Sequence, residues 1–101
     1  MARRVVWSPE ALEDLADIYH YIKYDNHKAA KKVADTLRNL AKSIPDNPRI
    51  GLKCPEHDRE DIRHRVWGAY RLIYQLVGET EIHILQIFHT RQEDLPELNL
   101  S

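Results

Sequence analysis

Ala69-Tyr70-Arg71-Leu72-Ile73-Tyr74-Gln75-Leu76-Val77, Gly78-Glu79-Thr80 and Glu81-Ile82-His83-Ile84-Leu85-Gln86-Ile87-Phe88 form the stretch on which the fold turns. Two runs rich in β-branched and aromatic residues flank a short connection that contains glycine, the pattern of a β-hairpin. Strands this apolar belong inside a small sheet. Arg71 within the first run, and His89 and Arg91 just after the second, are therefore expensive unless they serve a surface or a partner.

Working outward, Ile62-Arg63-His64-Arg65-Val66-Trp67 reads as a further strand, and Gly68-Ala69 turns it into the hairpin. At the other end of the chain Arg3 to Trp7 reads as a short strand. Ser8-Pro9-Glu10 then supplies an N-cap, a proline at the first helical position and an acid in the first turn, so a helix begins there. Leu12, Leu15, Tyr19 and Ile22, widened by Ala11, Ala16 and Ile18, recur at helical spacing. Asp25-Asn26-His27 breaks the stripe, with Asn26 placed to cap a second helix. Its stripe is Ala30, Val33, Leu37, Leu40 and Ile44, ended by Pro45.

So short a break predicts an antiparallel helical hairpin. Residues 45–61 form a polar connection much longer than the ~4–6 residues usual in compact domains, which marks it as functional or mobile. The order β-α-α-β-β-β predicts an α+β domain, the helical hairpin packed on one face of a small, mainly antiparallel sheet. Leu15, Tyr19, Val33, Leu37, Ile73 and Leu85 are expected to meet where the two layers join. One domain is expected over residues 1–101, with 91–101 a loosely held tail.

Composition narrows the function. A net charge of -1 over 101 residues argues against non-specific nucleic-acid binding as the main task, because that affinity comes mostly from phosphate neutralisation. The single cysteine, Cys54, excludes an internal disulfide and a cysteine-rich zinc site, and fits a reducing compartment. His20, His57 and His83 have no ligand spacing with one another, so neither a metal nor another cofactor is expected. No run approaches the ~18 apolar residues of a membrane span. A soluble, cytoplasmic protein with no membrane partner is the expectation.

Four pieces of sequence then coincide. Trp7 to Ile22 with its Ser8-Pro9-Glu10-Ala11 start, the Asn47-Pro48-Arg49-Ile50-Gly51 turn, the Tyr70-Arg71-Leu72-Ile73-Tyr74 strand and the His89-Thr90-Arg91-Gln92-Glu93-Asp94 ending together resemble the ParE/RelE superfamily of bacterial type II toxins. The resemblance spans almost the whole chain. It implies a toxin encoded beside a cognate antitoxin, whose disordered C-terminal segment folds around the toxin and silences it; a homodimer and a hetero-oligomer with the antitoxin both stay open. RelE-like members cut mRNA on the ribosome, and ParE-like members poison DNA gyrase without hydrolysing anything. The long first helix and the His-x-Arg-Gln-x-Asp ending look more like ParE.

RNA cleavage through a 2′-hydroxyl needs a base, an acid for the leaving oxygen, and cations around the phosphate. By resemblance Arg71 and Arg91 match the cations of RelE-like enzymes, and Arg63, His64 and Arg65 lie on the strand that carries further basic groups in them. Gln92 to Ser101 contains no Tyr, His or Lys, however, so a nuclease would depend on His89 or His64. The gyrase-directed reading is preferred, with Arg63, Arg65, Arg71, His89 and Arg91 as target-binding candidates, and with Arg71, His89, Arg91 and His64 as catalytic candidates under the nuclease alternative. Plainer readings stand beside these: Arg71 paired with Glu60 or Asp61, His89 satisfied by backbone, Trp7 and Trp67 as packing, and Lys28, Lys31 and Lys32 as a solvated helix face.

Overall fold

The computed structural model describes residues 3–49, 51–53 and 59–90. Arg91, the tail 91–101, Cys54 and His57 lie outside the described residues, and so does Ile50. The chain runs β1 (Arg4–Trp7), α1 (Pro9–Lys23), α2 (His27–Ser43), a 3-10 turn (Ile44–Asp46), β2 (Leu52–Lys53), β3 (Ile62–Trp67), β4 (Tyr70–Val77) and β5 (Glu81–His89). The strands form one sheet in the order β1-β5-β4-β3-β2. All neighbours are antiparallel except β1, which runs parallel to β5. The expected α+β architecture is present, with one strand more than the sequence reading held: β2 lies inside the connection 45–61 and pairs Leu52 with His64 and Lys53 with Arg63.

Both helices start where their caps place them. Ser8 Oγ accepts from the Ala11 amide at 3.0 Å, and Asn26 Oδ1 accepts from the Ala29 amide at 3.0 Å, each satisfying a helix-start donor that has no intrahelical partner. α2 ends at Ser43 because Pro45 cannot continue it. The buried stripe of α2 is Ala30, Ala34, Leu37 and Ala41, with Val33 and Leu40 at its flanks, and small alanines let the hairpin partner approach closely. In α1 the buried line is Ala11 and Leu15, flanked by Ile18 and Tyr19, whereas Leu12 is 54% exposed.

The sheet is buried on both faces. Leu72, Tyr74, Leu76, Ile82, Ile84 and Ile87 join the helices in the main core, while Ile62, Ile73, Leu85 and Phe88 form a separate buried cluster on the opposite face. This corrects one expectation: Leu15, Tyr19, Val33 and Leu37 do meet at the helix–sheet junction, but Ile73 and Leu85 do not join them. A strand that is apolar on both sides carries no alternation by which to choose the face. Trp7 and Trp67 pack against the main core, as side chains at its rim. Gly68 and Gly78 take positive φ, 58° and 57°, at the two turns that join β3, β4 and β5.

Candidate functional site

A single extra residue in β5 decides how the candidate groups are arranged. From Val77 paired with Glu81 the ladder runs regularly to Tyr74 paired with Ile84, and then slips so that Ile73 faces Gln86, leaving Leu85 as a bulge. Beyond it Arg71 pairs with Phe88 and Tyr70 with His89. Side chains of paired residues share a face, and consecutive residues alternate. Arg71 and His89 therefore lie at the same end of the sheet and on opposite faces. A regular ladder counted from the hairpin would have put them on one face.

The bulge is fastened from the helical side. Ser8 donates its hydroxyl to the Leu85 carbonyl at 2.9 Å while its amide donates to the Ile84 carbonyl at 3.0 Å. The pairing of β1 with β5 stops at Ile84, so the next part of β5 presents edge groups that need other partners. The Ile87 amide finds Asp14 Oδ2 at 3.0 Å. Burial pushes the Asp14 carboxyl up from its ordinary range, with Asp17, Glu13 and Glu10 adding to the rise and the Ile87 amide opposing it.

On the second face Arg71 is 9% exposed. Its Nε donates to His64 Nδ1 at 2.9 Å, its Nη2 lies 2.6 Å from the same atom, and its guanidinium carbon sits 5.6 Å from the centre of the Phe88 ring. Acceptance at Nδ1 requires a neutral imidazole with its proton on Nε2. Of the acids proposed to pair with Arg71, Glu60 engages Arg63 and Lys53, and Asp61 engages Arg59 and Gln75. Arg71 and His64 are two sequence candidates in direct contact among the described residues.

On the helical face His89 meets Tyr70 edge-on at 5.4 Å between ring centres, and Tyr70 stacks on Trp67 at 6.3 Å. Burial raises the Tyr70 phenol, helped by Tyr21 across the gap. A cavity of about 550 Å³ opens here between α1 and the end of the sheet, lined by Asp14, Asp17, Ile18, Tyr21, Tyr70, Ile87, Phe88 and His89. Sequence reading found His89 and missed the rest, although Glu10, Asp14, Asp17, Tyr21 and Tyr24 follow one another at helical spacing along one flank of the apolar stripe.

Arg63 and Arg65 also belong to the helical face, paired with Tyr74 and Leu72. Arg63 donates through Nη1 to the Gly51 carbonyl at 2.9 Å and through Nη2 to Glu60 at 3.2 Å. Tyr74 completes this attachment, donating its hydroxyl to the Pro48 carbonyl at 2.8 Å and accepting from the Gly51 amide at 3.2 Å. Burial raises the Tyr74 phenol. Pro48 and Gly51, from one of the sequence pieces that coincided, are thus tied to Tyr74, from another: the phenol holds both backbone groups, and glycine leaves room for the phenol. No group of three or more potential metal ligands occurs among the described residues. None of the described helices is long and apolar enough to cross a membrane.

The helical hairpin and the five-strand order of the sheet together define the RelE/ParE-like class of fold. Among solved structures the chain is similar to the chromosomal ParDE toxin–antitoxin system of P. aeruginosa, with a TM-score of 0.69 at 23% identity over 87% of this chain and 96% of that one. It is also similar to a mutant of the E. coli toxin RelE in the free state, with a TM-score of 0.65 at 18% identity over 90% and 86%. In sequence it is 31% identical over 96 residues to Toxin ParE1 of Mycobacterium tuberculosis, covering 92% of this chain and 95% of the relative. The model of the ParE toxin of the type II toxin–antitoxin system, parDE, matches residues 5–94. The chain belongs to the ParE family of type II toxin–antitoxin toxins.

Proposed function

We propose that the chain acts by binding DNA gyrase and inhibiting it without cutting a substrate of its own, and that a cognate antitoxin keeps it silent. The observation that carries this reading is the division of the candidate groups by the sheet. Arg71 and His89 lie on opposite faces, so the buried cation and the strand-end histidine do not address one phosphate. Membership of the ParE family supports the same target. A net charge of -1 adds to it, since insertion among ribosomal phosphates favours a strongly basic chain. Arg65 and His89 on one face, Arg71 on the other and Arg91 beyond β5 are the target contacts in this reading. Arg63 serves through the turn that it holds.

One observation favours a second reading. Arg71 against a neutral His64 provides a cation and an imidazole in contact, the pair that an RNA-cleaving site needs, so ribosome-dependent mRNA cleavage would run through His64 and not His89. Gyrase supercoiling with purified protein, set beside primer-extension mapping of mRNA after induction in cells, separates the two. Supercoiling inhibition with intact mRNA supports gyrase; mRNA cuts that vanish in His64→Gln support the nuclease.

A further inference from the structure

The cavity between α1 and the free edge of β5 has a composition that selects its occupant. One wall carries Asp14 and Asp17, with Glu10 and Glu13 near enough to Asp14 to repel its charge. The other wall is Tyr70 and Ile87, with Tyr21 at the mouth, 83% exposed, and Tyr24 beyond it, 91% exposed. Large exposed aromatics beside a concave site are what protein interfaces use as anchors. Clustered carboxylates repel phosphate, which sets nucleic acid aside for this surface. An aromatic slot with carboxylates on one side suits a flat or long-stemmed cation, whose charge meets the acids while its stem and face lie on the rings.

From this we infer that the cavity is an anchor for an arginine or lysine side chain of the antitoxin, inserted between α1 and the end of β5. The inference rests on the antitoxin reading for the identity of the partner, and on the cavity alone for the chemistry of the anchor. Asp17 forms the ion pair, Tyr21 and Tyr70 hold the stem, and Asp14, already bonded to the Ile87 amide, tightens when the cation arrives. The rest of the antitoxin segment is then directed along Tyr21 and Tyr24 on the outside of α1. Cavity and charge act together here: the carboxylates alone would only attract counter-ions, and the ring walls alone would accept any apolar side chain.

Two arms test this on the full chain. In the first, amide shifts in NMR follow titration with N-acetyl-arginine methylamide and with its uncharged isostere, N-acetyl-citrulline methylamide. The inference expects saturable shifts at Asp17, Tyr21, Ile87 and His89 with the arginine compound, at least about tenfold weaker with citrulline and in Asp17→Asn, as the loss of a partly desolvated ion pair implies. Equal response to both compounds, or shifts centred elsewhere, overturns it. In the second arm, the protein encoded beside this chain is titrated against wild type, Asp17→Lys and Tyr21→Ala by calorimetry, with thermal melts to confirm that each variant is folded. Binding at least about tenfold weaker in Asp17→Lys supports the anchor, and unchanged binding overturns it. Absence of any binding by wild type refutes the antitoxin reading, and with it the named occupant, while the first arm still reports on the cavity.

Discussion

Gly51→Ala probes the attachment between the turn and β4. A Cβ at residue 51 would overlap the Tyr74 hydroxyl and lie 2.8 Å from the His64 carbonyl oxygen and 2.9 Å from a ring carbon of Tyr74. The carbonyl is part of the β3 ladder and cannot move away cheaply, so overpacking costs about 1–3 kcal/mol. Displacing the phenol also weakens its bonds to the Pro48 carbonyl and the Gly51 amide, at roughly 1 kcal/mol each. Together these give about 3–5 kcal/mol, enough to lower Tm by roughly 12–40 °C in a domain of this size. Urea and thermal melts followed by circular dichroism measure it. Tyr74→Phe removes the nearest clashing atom at its own cost of about 1–3 kcal/mol for the orphaned backbone groups. In that background Gly51→Ala should therefore cost at least ~1 kcal/mol less than in wild type. A loss below about 0.5 kcal/mol for the single change, or additivity within about 0.3–0.5 kcal/mol for the pair, refutes the reasoning.

Leu37→Ala, at a fully buried position in the main core, should cost about 2–5 kcal/mol in the same melts; a loss well under 1 kcal/mol would mean that α2 is peripheral. Asp14 should give a pH signature. Its folded pKa lies above the ordinary 3.8, so its contribution to stability is complete below 3.8 and is lost as pH rises through the folded value. Asp14→Asn, which can still accept from the Ile87 amide, should raise Tm at neutral pH by a margin that shrinks to nothing below 3.8, and an equal gain at both pH values would contradict this. Induction of the gene alone should arrest growth, and His89→Gln, which keeps a hydrogen-bonding side chain at this target contact, should leave most of that toxicity, because gyrase binding needs no proton transfer; complete loss with normal folding and antitoxin affinity, while the wild type cuts mRNA and leaves supercoiling intact, would move the function to RNA cleavage.

The parts of the fold that were legible are those written in local chemistry. Ser8-Pro9 and Asn26 mark the helix starts, Pro45 marks a stop, and Gly68 and Gly78 mark the turns at which β3, β4 and β5 fold back. β2 was not legible because two residues, Leu52 and Lys53, are too few to show a period, and their pairing depends on a distant strand. The sheet face of each β4 residue was hidden for a different reason: with Leu72 and Ile73 both apolar and both buried, alternation says nothing about which one meets the helices. The site inherited that ambiguity. That Arg71 and His89 share an end of the sheet follows from the hairpin, but their separation onto two faces depends on Leu85, whose bulge is held by Ser8 from the far end of the sequence. Asp14 gave no signal of its own in the sequence, because its partner, the Ile87 amide, becomes an edge donor only once β1 has ended.

In the function proposed above, this toxin disables gyrase by binding, without chemistry of its own. Its most direct test is purified protein, gyrase, ATP and relaxed plasmid in one reaction, read for lost supercoiling and for accumulation of cleaved DNA–gyrase complex, with the His64→Gln, His89→Gln double variant alongside. Wild type and double variant should both inhibit, and added antitoxin should restore supercoiling. Unaffected gyrase at protein concentrations well above enzyme, together with mRNA cut in induced cells by wild type and not by the double variant, would contradict it.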